Sequence, residues 1–192
     1  MRTALDWADG LVRLARIRHR LRVARLNAEA GIRIDPATHI APSARIKLRA
    51  DGWTSGGRVR IARGVVISDG AIVAPYGGSV VIESNVFVGP YCVLYGHGGL
   101  VIGRNTMLGA HTAVVPFNHG FARVDVPMNH QPLTLEGIDI GEDVWIGANC
   151  TVLDGVRIGT GVVIGAGSVV TRSIDAYAVA VGAPATVMRS RK

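Results

Sequence analysis

The stretch Ile140-Gly141-Glu142-Asp143-Val144-Trp145-Ile146-Gly147-Ala148-Asn149-Cys150-Thr151-Val152, running on to Val170, decides the fold. Aliphatic residues recur at Ile140, Ile146, Val152, Ile158, Ile164 and Val170, with glycine next at Gly141, Gly147, Gly159 and Gly165. A second set falls four places later in each unit: Val144, Cys150, Val156, Val162 and Ser168. A period of six fits neither an α-helix nor a hairpin meander. It fits a parallel β-helix, in which each hexad lays down one short strand and one corner. Three hexads then make a coil of about 18 residues, stacked at the strand-pairing distance. One branched aliphatic per hexad points inward, and the glycine after it is expected to ease the backbone through the corner.

The pattern continues upstream through Ile102, Leu108 and Val114, through Ile82, Val88 and Leu94, and through Ile61, Ile67 and Val73, fading at Ile40 and Ile46. The sequence therefore predicts an all-β solenoid over residues 37–172, a helical N-terminal cap over 1–36 and a short C-terminal tail over 173–192. Twenty-five glycines against three phenylalanines suit a narrow aliphatic interior. No apolar run reaches the length of a membrane span and no cleavable leader pattern is visible, so a cytoplasmic protein is expected. Cys92 and Cys150 fall on inward positions and read as small buried hydrophobes.

The formal charge of +7 is concentrated at one end. Residues 1–26 hold seven arginines and two aspartates, while the rest of the chain is nearly balanced. Between residues 11 and 26, Leu11, Leu14, Ile17 and Leu21 recur at helical spacing, with Arg13, Arg16 and Arg20 on the other side. Two readings stay open: a helix that caps the end of the solenoid, or one that lies on an anionic membrane surface. Nucleic acid is not expected, since no aromatic residues interleave with the arginines and no nucleic-acid motif appears.

Chemistry in a solenoid is sought where the repeat breaks. Between Leu94 and Ile102 the spacing widens to eight, adding residues in Tyr95-Gly96-His97-Gly98-Gly99. Between Val114 and Ile140 it is 26, and residues 116–137 lose the pattern. This projecting loop carries Asn118-His119 at its root and His130 further out. His119, just after a buried strand, is the candidate catalytic residue, histidine being suited to proton transfer near neutral pH. His97 and His130 are weaker candidates for lining an acceptor pocket, and His111 reads as structural.

From Asn118 to Arg189 the chain resembles the left-handed β-helix acyltransferases of the hexapeptide-repeat superfamily, closest to the sugar and capsular-polysaccharide O-acetyltransferases. The resemblance rests on Asn118-His119, on residues 140–149, on the run Val163-Ile164-Gly165-Ala166-Gly167-Ser168-Val169-Val170-Thr171, and on Gly182-Ala183-Pro184-Ala185. It implies a homotrimer with active sites between subunits, acetyl-CoA as acyl donor and His119 as catalytic base. It also implies that Trp145, Ala148, Ala166, Thr171, Arg172 and Arg189 bind the coenzyme. Arg191 and Lys192 add cations for its phosphates. No metal and no acyl-enzyme are expected. The acceptor is expected to be a sugar or polysaccharide hydroxyl, with Asn118, Tyr91, Tyr95 and His97 as candidate acceptor-binding residues.

Galactoside-modifying members hold the sugar with an Asn where this chain has residues 89–91, so the acceptor stays open. N-acetylation of a nucleotide-linked amino sugar and O-acetylation of a xenobiotic are alternatives. From other classes, a γ-carbonic-anhydrase-like metal enzyme and a non-catalytic trimeric scaffold remain.

Overall fold

A computed structural model describes residues 4–48 and 56–191, with side chains from residue 14 onward. After helix α1 (Ala4–Asn27), the chain winds through three parallel sheets in strict rotation. The first sheet takes Ile32–Ile34, Arg58–Ile61, Ser79–Ile82, Leu100–Ile102, Ile138–Ile140 and Arg157–Ile158. The second begins at His39–Ile40 and includes Phe87–Val88, Met107–Leu108, Trp145–Ile146 and Val163–Ile164. The third begins at Arg45–Ile46 and includes Ile72–Ala74, Val93–Tyr95, Ala113–Val115, Thr151–Leu153 and Val169–Val170. The result is the three-sided β-helix that the hexads predict.

Register explains the period. Ile102 lies beside Ile82 on one strand and Ile140 on the next, and all three are fully buried. Such columns fill the prism, each large aliphatic contributing roughly 1.5–3 kcal/mol by leaving water. The second set is equally buried, including Cys150 and Ser168. Both cysteines are free, and burial pushes both thiols up in pKa.

The role assigned to the hexad glycines needs correction. A Cβ on Gly147 would sit 2.5 Å from the amide nitrogen of Ala166 in the next coil, so this glycine permits close coil stacking. The left-handed corner residue comes two places later, at Asn149 (φ 55°), and Tyr91 and His111 occupy the same kind of corner at φ 57° and 59°.

Among the described residues, the departures from six within the solenoid fall on one edge, where the chain leaves the third sheet and re-enters the first. We term it the return edge. Pro75–Gly78, Gly96–Gly99 and the 116–137 excursion all stack there.

Helix α1 does cover the first coil, but not with the face the leucine spacing suggests. Leu14, Ile17 and Leu21 are exposed, whereas Val23 is buried and Leu26 packs on the core. Leu11 lies outside the described side chains. The Arg22 guanidinium donates to the carbonyls of Ala41 and Ala44, and His19 Nε2 meets the Thr38 carbonyl at 2.6 Å. Asn27 bonds both the amide and the carbonyl of Ile34. Polar side chains thus satisfy backbone groups of the first coil that have no preceding coil to pair with.

At the other end, Ala178–Val181 adds to the second sheet and Thr186–Ser190 folds back antiparallel to it. Sheet pairing therefore extends beyond 37–172 at both ends. Among the described residues, no helix is long and apolar enough to cross a membrane.

Candidate functional site

The long excursion is built, not slack. Asn118–His119 pairs antiparallel with Leu133–Thr134, His119 opposite Leu133. The Gly120 amide donates to the Pro132 carbonyl at 2.8 Å. Beyond that ladder, the buried Gln131 amide donates at 2.8 Å to the carbonyls of both Arg123 and Val126, and its oxygen accepts from the Arg123 amide. At the base, Asp154 accepts from the amides of Glu136 and Gly137. His119 is thus held on a short strand at the loop root with its ring exposed.

An aromatic cluster packs along the return edge. The His97 ring lies 4.1 Å from Phe117 and 4.6 Å from Tyr76, centroid to centroid, and Phe117 meets His119 edge-on at 5.8 Å. Tyr95 touches Tyr76, His97 and Phe117. His97 Nδ1 is buried and finds no hydrogen-bond partner among the described residues. Burial, then the nearby His119, push the His97 imidazole below its usual range. The edge therefore presents an exposed histidine backed by one whose burial disfavours the charged form. Beside it, Gly98 and Gly99 line two open grooves, one of about 440 Å³ with His97 and Arg58, the other of about 480 Å³ with Glu136, Asp139 and Arg157.

Of the acceptor candidates, Tyr95 and His97 pack on Phe117, which meets His119, and Asn118 precedes His119 on its strand, whereas Tyr91 lies elsewhere. Tyr91 sits at the edge between the second and third sheets, stacked on His111 at 5.1 Å. His130 lies out on the short 3₁₀ turn Met128–His130. Among the described residues, no three His, Cys, Asp or Glu side chains gather to hold a metal.

The coenzyme candidates divide. Trp145 is about half exposed on the outer face of the second sheet, between Met107 and Val163. Ala148 and Ala166 stack at the edge between the second and third sheets, where the Gly167 amide bonds the Ala148 carbonyl. Arg189 lies beside Val179 in the closing hairpin. Thr171 and Arg172 stand instead on the return edge, exposed. Arg191 is tied to the Gly161 carbonyl at 2.7 Å and to Asp143, so it anchors the chain end; Lys192 lies outside the described residues.

Sequence reasoning passed over Tyr76, although its signal was present. Val73 to Ile82 is nine residues, and Pro75-Tyr76-Gly77-Gly78 is a break of the same kind as the one holding His97.

Comparison with known proteins agrees with this geometry. The family model for the bacterial transferase hexapeptide (six repeats) matches residues 137–172. Residues 137–172 thus carry the hexapeptide repeat, within the left-handed β-helix fold of the acyltransferases that share it. It is 31% identical over 135 residues to the acetyltransferase Rv3034c of Mycobacterium tuberculosis, covering 70% of this chain and 45% of that protein. It is 34% identical over 119 residues to WbbJ of Escherichia coli, described as a lipopolysaccharide-biosynthesis O-acetyl transferase, covering 58% and 61% respectively. The chain thus spans about half to somewhat under two thirds of these relatives' length. Among solved structures, a variant of the Bacillus cereus N-acyltransferase AntD, in complex with dTDP and coenzyme A, superposes with a TM-score of 0.66 at 26% identity. That match covers 81% of this chain and 82% of AntD.

Proposed function

We propose that this hexapeptide-repeat protein transfers an acyl group from acyl-coenzyme A to a sugar acceptor, with His119 as general base. The observation that carries the reading is the placement of His119. It is exposed at the return edge, fixed by strand pairing, and packed through Phe117 against His97, which lines a glycine-rich groove large enough for a sugar.

The chemistry needs few parts. In its neutral form, His119 accepts the proton as the acceptor oxygen or nitrogen attacks the thioester carbonyl. The carbon–sulfur bond then breaks, and the proton passes to the departing thiolate. Both cysteines are buried and their thiols pushed up in pKa, which disfavours a thiolate nucleophile at either.

Within one chain, His119 and Trp145 lie on opposite sides of the prism, because the return edge is the edge the second sheet does not touch. A site using both residues is completed by a second copy. The exposed apolar ladder of Phe87, Met107 and Trp145 supports such packing. The small Ala148 and Ala166 ledge, with Arg189 beyond it, suits a coenzyme arm and its phosphates. Arg172, on the return edge, would serve only from the other copy.

AntD variants are solved with dTDP-4-amino-4,6-dideoxyglucose and coenzyme A. That chemistry favours N-acylation of a nucleotide-linked amino sugar over the polysaccharide O-acetylation read from the sequence; WbbJ is the observation that keeps the hydroxyl acceptor as a second reading. A thiol-release assay with acetyl-CoA tests the choice. Turnover with nucleotide-linked amino sugars, and none with their hydroxyl counterparts, is expected; the reverse pattern would restore O-acylation.

A further inference from the structure

The inference below rests on the sugar-acyltransferase reading and concerns the far end of the acceptor. The outer face of the first sheet is cationic in its first two coils. Arg33, Arg58 and Arg60 alternate with buried Ile32, Val59 and Ile61, so all three side chains project outward. Arg33 lies directly beside Arg60 in adjacent parallel strands. Neighbouring strands are about 4.8 Å apart, and like charges side by side at that spacing are destabilising.

Among the described residues, one carboxylate answers three guanidiniums: Glu83 pairs with Arg60. Arg33 turns one nitrogen to the Ile32 carbonyl at 2.7 Å. Arg58 has neither an ion pair nor a side-chain hydrogen bond among the described residues. The three arginines line a groove of about 620 Å³ with Gly31, Ser79 and Val81. Arg58 and Ser79 also line the groove that holds His97 and Gly98–Gly99. The two grooves are therefore contiguous, leading from His97 to Arg33.

We propose that this arginine groove is the subsite for the diphosphate of a diphosphate-linked sugar acceptor. A planar guanidinium fork matches phosphate oxygens two at a time, and an anion there would relieve the Arg33–Arg60 repulsion. The arginine coils lie two to three strand spacings from the coil that carries His119, roughly 10–15 Å. That separation leaves room for one sugar between the reacting atom and the charged linkage.

Calorimetric titration of the full chain with dTDP, UDP, inorganic pyrophosphate and coenzyme A tests the assignment, on wild type and on the double variant R33Q/R58Q. Wild type is expected to bind a diphosphate, and the variant to lose at least tenfold in that affinity while its coenzyme A affinity stays within twofold. An unchanged melting curve checks that these surface substitutions leave the fold intact. Tighter binding of dTDP or UDP than of pyrophosphate would assign a nucleotide carrier. Equal binding would assign the diphosphate alone, as a lipid-linked sugar would offer it. Unaltered diphosphate affinity in the variant, no diphosphate binding by wild type, or a parallel loss of coenzyme A affinity would each overturn the subsite. Failure of coenzyme A to bind while the diphosphate does would instead remove the acyl-transfer reading and leave the groove standing.

Discussion

His97 and Phe117 pack with ring centroids 4.1 Å apart, joining a corner of the third coil to the root of the loop that carries His119. Two breaks in the repeat, some twenty residues apart in sequence, are thereby locked into one unit. Phe117 also meets His119 edge-on, so it transmits the packing of the solenoid to the histidine. Phe117→Ala removes this support without touching the proton-transfer group. A misplaced base is expected to cost 10- to 100-fold in kcat, with coenzyme A affinity unchanged and partial recovery in Phe117→Leu. Steady-state kinetics beside calorimetry checks this, and an unaffected kcat would leave the cluster purely structural.

The pH dependence of stability follows from the same cluster. His97 has its folded-state pKa pushed below the ordinary 6.5, chiefly by burial and then by His119. The unfolded chain therefore takes up this proton more readily than the folded one, and acidification through 6.5 favours unfolding. Stability from His97 is present above that range and fades as pH falls through it. Melting temperatures of wild type and His97→Phe, compared between pH 8 and pH 5, should show a shallower acid decline in the variant. Parallel declines would contradict a lowered pKa at His97.

Removing the base itself should separate binding from chemistry. His119→Ala is expected to bind coenzyme A as wild type does while turnover falls about 10²–10⁴-fold, the range for a lost general base. Activity within a few-fold of wild type would take His119 out of the reaction.

A site shared between copies has a statistical signature. His119→Ala and Trp145→Arg, each inactive alone, are refolded together in equal amounts. Mixed oligomers should regain about a quarter of wild-type activity, the share of sites that draw an intact histidine from one chain and an intact tryptophan from the other. No recovery would mean that each site is built within a single chain.

The helix cap can be tested through Arg22, whose guanidinium reaches the carbonyls of Ala41 and Ala44. Arg22→Ala leaves those acceptors short of a charged donor, and a loss of about 1.5–3 kcal/mol is expected from denaturant titration. Arg18→Ala, on an exposed residue of the same helix, should cost far less. Equal effects would mean that net charge, not carbonyl capping, is what the helix supplies.

The solenoid was legible in the sequence because each hexad repeats the same inward demand, so Ile82, Ile102 and Ile140 announce a column before any contact is seen. The return edge was legible in part, since an interruption of period shows where something projects but not what meets it. Tyr91 and Tyr95 look equivalent in the sequence, four residues apart, yet Tyr91 is a corner residue and the strand Val93–Tyr95 carries the chain across one side of the prism to the next edge. The helix face was misread for a related reason. Spacing of Leu14, Ile17 and Leu21 marks an apolar stripe but carries no information on which stripe faces the coil. Here backbone carbonyls at the coil end favour the donors of His19, Arg22 and Asn27. Arg58 and Arg60 were invisible as a site because only strand register brings Arg33 beside them.

The most direct test of the central claim is calorimetric titration of the intact protein with acetyl-CoA, which requires no knowledge of the acceptor. The account predicts saturable binding at one site per chain. A folded protein that takes up no acetyl-CoA would contradict it.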